Sequence, residues 1–113
     1  MTPLLLKAFE TEMTAMKAAH DARDLGLAFH HLERAHILGQ RYFKPHIITH
    51  WWMLKIGISR RDIKEIFGQI LRILAVMPAN FFGWIPIGNS GGANVSALKP
   101  MPIPDDLVQY FER

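Results

Sequence analysis

A chain of 113 residues, half of them hydrophobic, with a net charge of +3, has room for one domain around one core, here taken as residues 1–113. It contains no cysteine, which excludes disulfides, thiolate metal sites and a cysteine nucleophile, and suits a cytoplasmic address. Its start does not read as a signal peptide, and the apolar stretch 70–87 is broken by Arg72, Pro78, Asn80, Gly83 and Pro86, short of the roughly 20 residues of a membrane span. The expected location is therefore cytoplasmic, with no membrane partner. Between Glu33 and Arg72 eight Lys/Arg stand against three acids. They lack interleaved aromatics for stacking bases, so they read as a solvated helix face and no nucleic-acid partner is expected.

Apolar spacing predicts four helices. The first runs from Pro3, a first-turn residue, to about His20, with Leu5, Leu6, Phe9, Met13 and Met16 on one stripe. Residues 21–24 turn the chain. The second covers about Leu25 to Leu38 and is ended by Gly39; one side carries Leu25, Ala28, Phe29, Leu32, Ala35 and His36. The third, His46 to Ile58, is opened by Pro45; its adjacent Trp51 and Trp52 point about 100° apart, one toward the core and one under the tail. The fourth is capped by Ser59, has a core stripe of Ile63, Ile66, Phe67, Ile70, Ile73 and Leu74, and is stopped by Pro78. Asp24, Ala28, Leu32 and Ala35 align with Asp62, Ile66, Ile70 and Ile73 at a spacing of 38, close to the tetratricopeptide period of about 34.

The fold class expected is therefore all-α: a bundle over residues 1–78 made of two stacked tetratricopeptide-like pairs, then a Gly/Pro-rich C-terminal wrap over 79–113. In that wrap Phe81, Phe82, Trp84, Ile85 and Ile87 are too apolar for solvent and should close the open side of the bundle, placing the glycine-rich loop 88–96 over the histidines. Pro100, Pro102 and Pro104 favour a stiff path, and a last short helix starts near Pro104.

Five of the six histidines lie between His30 and His50. His46 and His50 are one helical turn apart, where two imidazoles reach one ion, and Glu33 and His36 form a Glu-x-x-His pair. A short connection makes the second and third helices antiparallel, so Glu33, His36, His46 and His50 converge as a candidate site for Zn, Ni, Co or Cu, with His31 as a spare ligand. Core histidines satisfied by backbone are the competing reading. Asn89, Ser90, Gly91, Gly92 and Asn94 form a possible anion or ligand loop, although the stretch lacks the ending of a P-loop.

The run from His31 to Gln40, with Pro45-His46, His50-Trp51, the stretches 68–72 and 88–96, and Met101-Pro102-Ile103-Pro104, resembles an uncharacterised bacterial family, domain of unknown function 3703, over nearly the whole chain. Ser90 stands where that family more often carries Thr. The resemblance implies a link to metal stress and no established activity. The leading reading is a small binding protein for a divalent transition metal or small ligand. The alternatives are a tetratricopeptide-like adaptor for a protein partner, with structural histidines, and a hydrolytic enzyme using metal-bound water, for which no base is evident.

Overall fold

A computed structural model describes residues 1–111. Its elements are α1 (Pro3–Asp21), α2 (Leu25–Gly39), α3 (Phe43–Ser59), α4 (Ile63–Phe82) and a final 3₁₀ helix (Asp105–Tyr110). The described residues are all-helical, without a strand. Thr2 caps α1 by accepting from the Leu5 amide, and Asp24 caps α2 by accepting from Leu27. Helix α3 begins at Phe43, two residues before Pro45, whose missing amide falls in the first turn where no intrahelical partner exists. Ser59 is the last residue of α3, and the cap of α4 is Asp62, which accepts from the Glu65 amide.

Two helical hairpins share one turn. Arg23 and Arg61 both take left-handed backbone angles, and each is followed by the capping aspartate. The Asp24 amide bonds to the Ala19 carbonyl as Asp62 bonds to Gly57, each pair displaced by the same 38 residues. Helix α1 packs on α2, α2 on α3 and α3 on α4. The core is built from Leu5, Phe9, Met13 and Met16 of α1, Ala28, Leu32 and Ala35 of α2, and Met53 and Ile56 of α3, with Leu107 closing one end.

Three expectations are corrected. Pro78 does not end α4. It forgoes one backbone hydrogen bond, and the helix continues to Gly83, whose φ of +74° makes the left-handed C-cap. Second, the stripe assigned to the core of α4 faces outward: Ile63, Phe67, Ile70 and Leu74 are exposed and Ile66 and Ile73 half-buried, while Glu65, Gln69 and Val76 are buried. Third, Phe81, Phe82, Trp84 and Ile87 are exposed and only Ile85 is half-buried, so these side chains do not close the bundle. Trp51 is likewise exposed, and Trp52 is half-buried with its ring edge-on to His20.

What does pack against the bundle is the glycine-rich loop. Gly88 to Gly92 are buried. The Met101 amide bonds to the Ile87 carbonyl, and the Asn89 side-chain amide donates to the carbonyls of Ser96 and Lys99, which closes 87–101 into a compact loop. The Arg72 guanidinium donates to the Val95 carbonyl at 2.8 Å and ties this loop to α4. Farther on, Asp106 pairs with Arg34 of α2.

Candidate metal centre

His36 comes from α2, and His46 and His50 come from successive turns of α3. All three are buried, with ring centroids 4.6 to 5.1 Å apart. One ligand atom from each lies within 4.8 Å of the other two. The short connection between α2 and α3 brings the helices together, and the i, i+4 spacing puts His46 and His50 on one side of α3.

Each ring is held through Nδ1. His36 Nδ1 lies 2.8 Å from the Asn89 carbonyl oxygen, which can only accept, so His36 carries its proton there. His50 Nδ1 is 2.6 Å from Gln69 Oε1. The orientation of that amide is fixed, because Gln69 Nε2 donates to Glu65 Oε2 and to the Gly91 carbonyl, both acceptors. His46 Nδ1 is 2.7 Å from Asn80 Oδ1, whose Nδ2 donates to the Gln40 carbonyl. The network thus assigns the Nδ1–H tautomer to all three and leaves every Nε2 with a free lone pair.

The Nε2 atoms of His36 and His50 face each other at 3.1 Å. A shared proton would require one ring to be charged. Burial opposes that: it pushes His36 well below the usual histidine range, lowers His46, and brings His50 down to about 3, with the neighbouring histidines adding to the effect at His36 and His50. Two bare lone pairs therefore oppose one another in the interior. Nitrogens on one tetrahedral ion at about 2.0–2.1 Å stand ~3.3 Å apart, close to the separation of this pair.

The outer partners fit a metal centre. Ligating histidines nearly always donate their second ring N–H to a carbonyl or carboxylate, which sets tautomer and orientation. Here one backbone carbonyl and two amide oxygens do so, and Glu65 stands behind Gln69. Gly91 lies flat against His36: at φ +87° a Cβ there would sit 2.7 Å from the imidazole carbons. A cavity of about 170 Å³ opens on the three histidines, walled by Arg72, Val76, Ala79, Trp84, Pro86 and Leu98.

Two other candidate ligands lie elsewhere. Glu33 is not in the group formed by the three histidines. It lines a separate polar cavity of about 340 Å³ with Glu65 and Asn94, where burial and the Glu65 charge raise its pKa and a bond to Ser90 partly offsets them. A residue three before His36 projects about 60° away around the helix, enough to turn Glu33 toward α4. His31 bonds through Nδ1 to Glu12 of α1 at 2.9 Å, on the other side of α2. In the glycine-rich loop, the amides of Gly91 and Ala93 already donate to Asn89 Oδ1 and Glu65 Oε2, and Ser90 is buried, so these groups brace the histidine site. Gly92 packs near Phe29, and Asn94 lines the Glu33 cavity.

Gln69, Asn80 and Asn89 were not singled out as orienting groups from sequence. The available signal was the polar row Glu65, Gln69, Arg72 and Asn80 along one side of an otherwise apolar helix. Over residues 4–111 the chain matches the model of a family described as proteins of unknown function (DUF3703). No curated protein and no solved structure matches it.

Proposed function

The chain belongs to the DUF3703 family, and we propose that it binds one divalent transition metal ion, Zn²⁺, Ni²⁺, Co²⁺ or Cu²⁺, through Nε2 of His36, His46 and His50. The observation that carries this reading is the pair of bare Nε2 atoms at 3.1 Å, with both Nδ1 positions already spent on acceptors. Histidines retained only for packing would gain nothing from opposed lone pairs; a cation turns the repulsion into two bonds. All-nitrogen ligation suits these metals and not Mg²⁺ or Ca²⁺. Three protein ligands leave a further position for water or a small ligand, and the adjoining cavity gives it room. When bound, the ion supplies Lewis acidity at that position, while the chain holds the imidazoles neutral and aligned.

A cytoplasmic protein that captures such an ion fits the link to metal stress implied by the family resemblance. The shared turn of the two hairpins supports reading the bundle as two stacked tetratricopeptide-like pairs. Titration calorimetry of the untagged protein with Zn²⁺ at neutral pH tests the function. One site per chain is expected, lost in His46→Ala/His50→Ala. Equal heats for both proteins would reject metal binding at this centre.

A further inference from the structure

We propose that the outward face of α4 is the contact surface of a homodimer in which two copies of α4 pack antiparallel. Ile63, Phe67, Ile70, Leu74, Met77 and Phe81 recur at alternating steps of four and three residues, the a/d repeat of a helix that packs along another helix. Each is exposed by between 40 and 81%. The opposite side of α4, with Glu65, Gln69 and Val76, is the side turned inward. Within the chain, α4 packs against the helix α3, which leaves this seam uncovered.

The internal repeat shows that the seam is a face that elsewhere in the same fold is covered. Displaced by 38 residues, its first five positions fall on Leu25, Phe29, Leu32, His36 and Gly39 of α2, all of them buried or half-buried. The other end of the bundle is finished differently. The outer side of α1 carries Lys7, Glu10, Thr14 and Lys17, a polar cap of the kind that ends a stack of helical pairs. Head-to-tail stacking of α4 on the α1 of another copy would set an apolar seam on charges. Seam on seam is the self-complementary contact.

Area and charge favour a second copy. Together with Leu71, Phe82 and Trp84 at its border, the seam exposes about 1,000 Å² per chain, an upper bound on what pairing can bury and enough to supply the roughly 800 Å² per partner of a standard stable interface. No charged side chain lies on the seam itself. The exposed Arg60, Arg61 and Lys64 gather at its start, and Phe81, Phe82 and Trp84 at its end. Parallel pairing would bring like basic clusters together. Antiparallel pairing lays each cluster against the other copy's aromatic end, where cations sit over ring faces and near the negative end of a helix dipole. A lipid bilayer suits the face less well, although α4 is long and apolar enough to cross one. Its inward side is bonded through Glu65, Gln69 and Arg72 to the histidine site and the glycine-rich loop, and the basic residues sit at one end instead of flanking the apolar stripe.

Sedimentation equilibrium of the untagged full chain tests this. The expected mass at micromolar concentration is twice 13.0 kDa. Leu74→Glu should raise the dissociation constant at least about 100-fold, by burying unpaired carboxylates, with unchanged circular dichroism because Leu74 is 72% exposed within its own chain. The chain has no cysteine, so orientation is read cleanly: Ile63→Cys and Phe81→Cys should cross-link when mixed and not singly. A wild-type monomer at hundred-micromolar concentration, whether or not it binds phosphatidylcholine/phosphatidylglycerol vesicles, overturns the proposal. So does a dimer that survives Leu74→Glu, and cross-linking of Ile63→Cys alone overturns the antiparallel arrangement.

Discussion

Acidifying the metal-free protein should destabilise it through the histidine cluster, before the carboxylates titrate. The three imidazoles are held neutral by burial in the folded chain, with His50 down to about 3 and His36 also well below 6.5. In the unfolded chain each regains a pKa of about 6.5. Below that pH the unfolded state binds more protons, so stability is present above about pH 6.5 and is lost as pH falls. A group that remains neutral when folded costs about 1.4 kcal/mol per pH unit in this range. At about pH 5.5 the loss is therefore ~3 kcal/mol from His36 and His50, rising toward ~4 kcal/mol with His46, whose pKa is also lowered. Glu33, raised by burial, works in the opposite sense at lower pH, which is why the comparison stops there. Urea unfolding of the chelator-treated protein between about pH 7.5 and about pH 5.5 measures the effect, with about two to three protons taken up per chain on unfolding. An uptake below one proton would refute the assignment of three buried neutral histidines.

Removing an orienting partner should weaken the metal without breaking the fold: Gln69→Leu is expected to lower Zn²⁺ affinity about 10- to 100-fold in competition with a chromophoric chelator, since Gln69 sets the tautomer of His50. Gly91→Ala places a methyl group 2.7 Å from the His36 ring in a left-handed conformation, and should destabilise by at least about 2 kcal/mol, a fall of ~8 °C or more in thermal midpoint. Glu33→Gln and His31→Ala should each leave Zn²⁺ affinity within about 2-fold of wild type, because Glu33 stands outside the group of three histidines and His31 is bonded to Glu12. A loss of 10-fold in either would return that residue to the ligand set.

Much of the centre could be read from local spacing. The i, i+4 pair His46 and His50 and the short α2–α3 connection already bring His36 to them. Glu33 stands three residues before His36, and that rotation of about 60° turns it to the cavity it lines with Glu65 and Asn94, outside the group of three histidines. Helix α4 was read inside out for a related reason. Periodicity tells which residues share a side of a helix, and the assumption that the apolar side faces inward holds only where the interior is apolar. Here the interior next to α4 holds three imidazoles needing acceptors, so Gln69 and Asn80 turn in and Phe67 and Leu74 turn out. The exposure of Phe81 and Phe82 follows from the same inversion, since α4 runs on through Pro78 and carries them along its outer side, and Trp84, just past the C-cap, stacks on Phe82.

X-ray absorption of the protein loaded with one equivalent of Zn²⁺ tests the central claim most directly. Three imidazole nitrogens at about 2.0 Å and one further light ligand are predicted, and the imidazole scattering should collapse in His36→Ala/His50→Ala. A spectrum with two or fewer imidazoles, or one unchanged in that variant, would contradict the account.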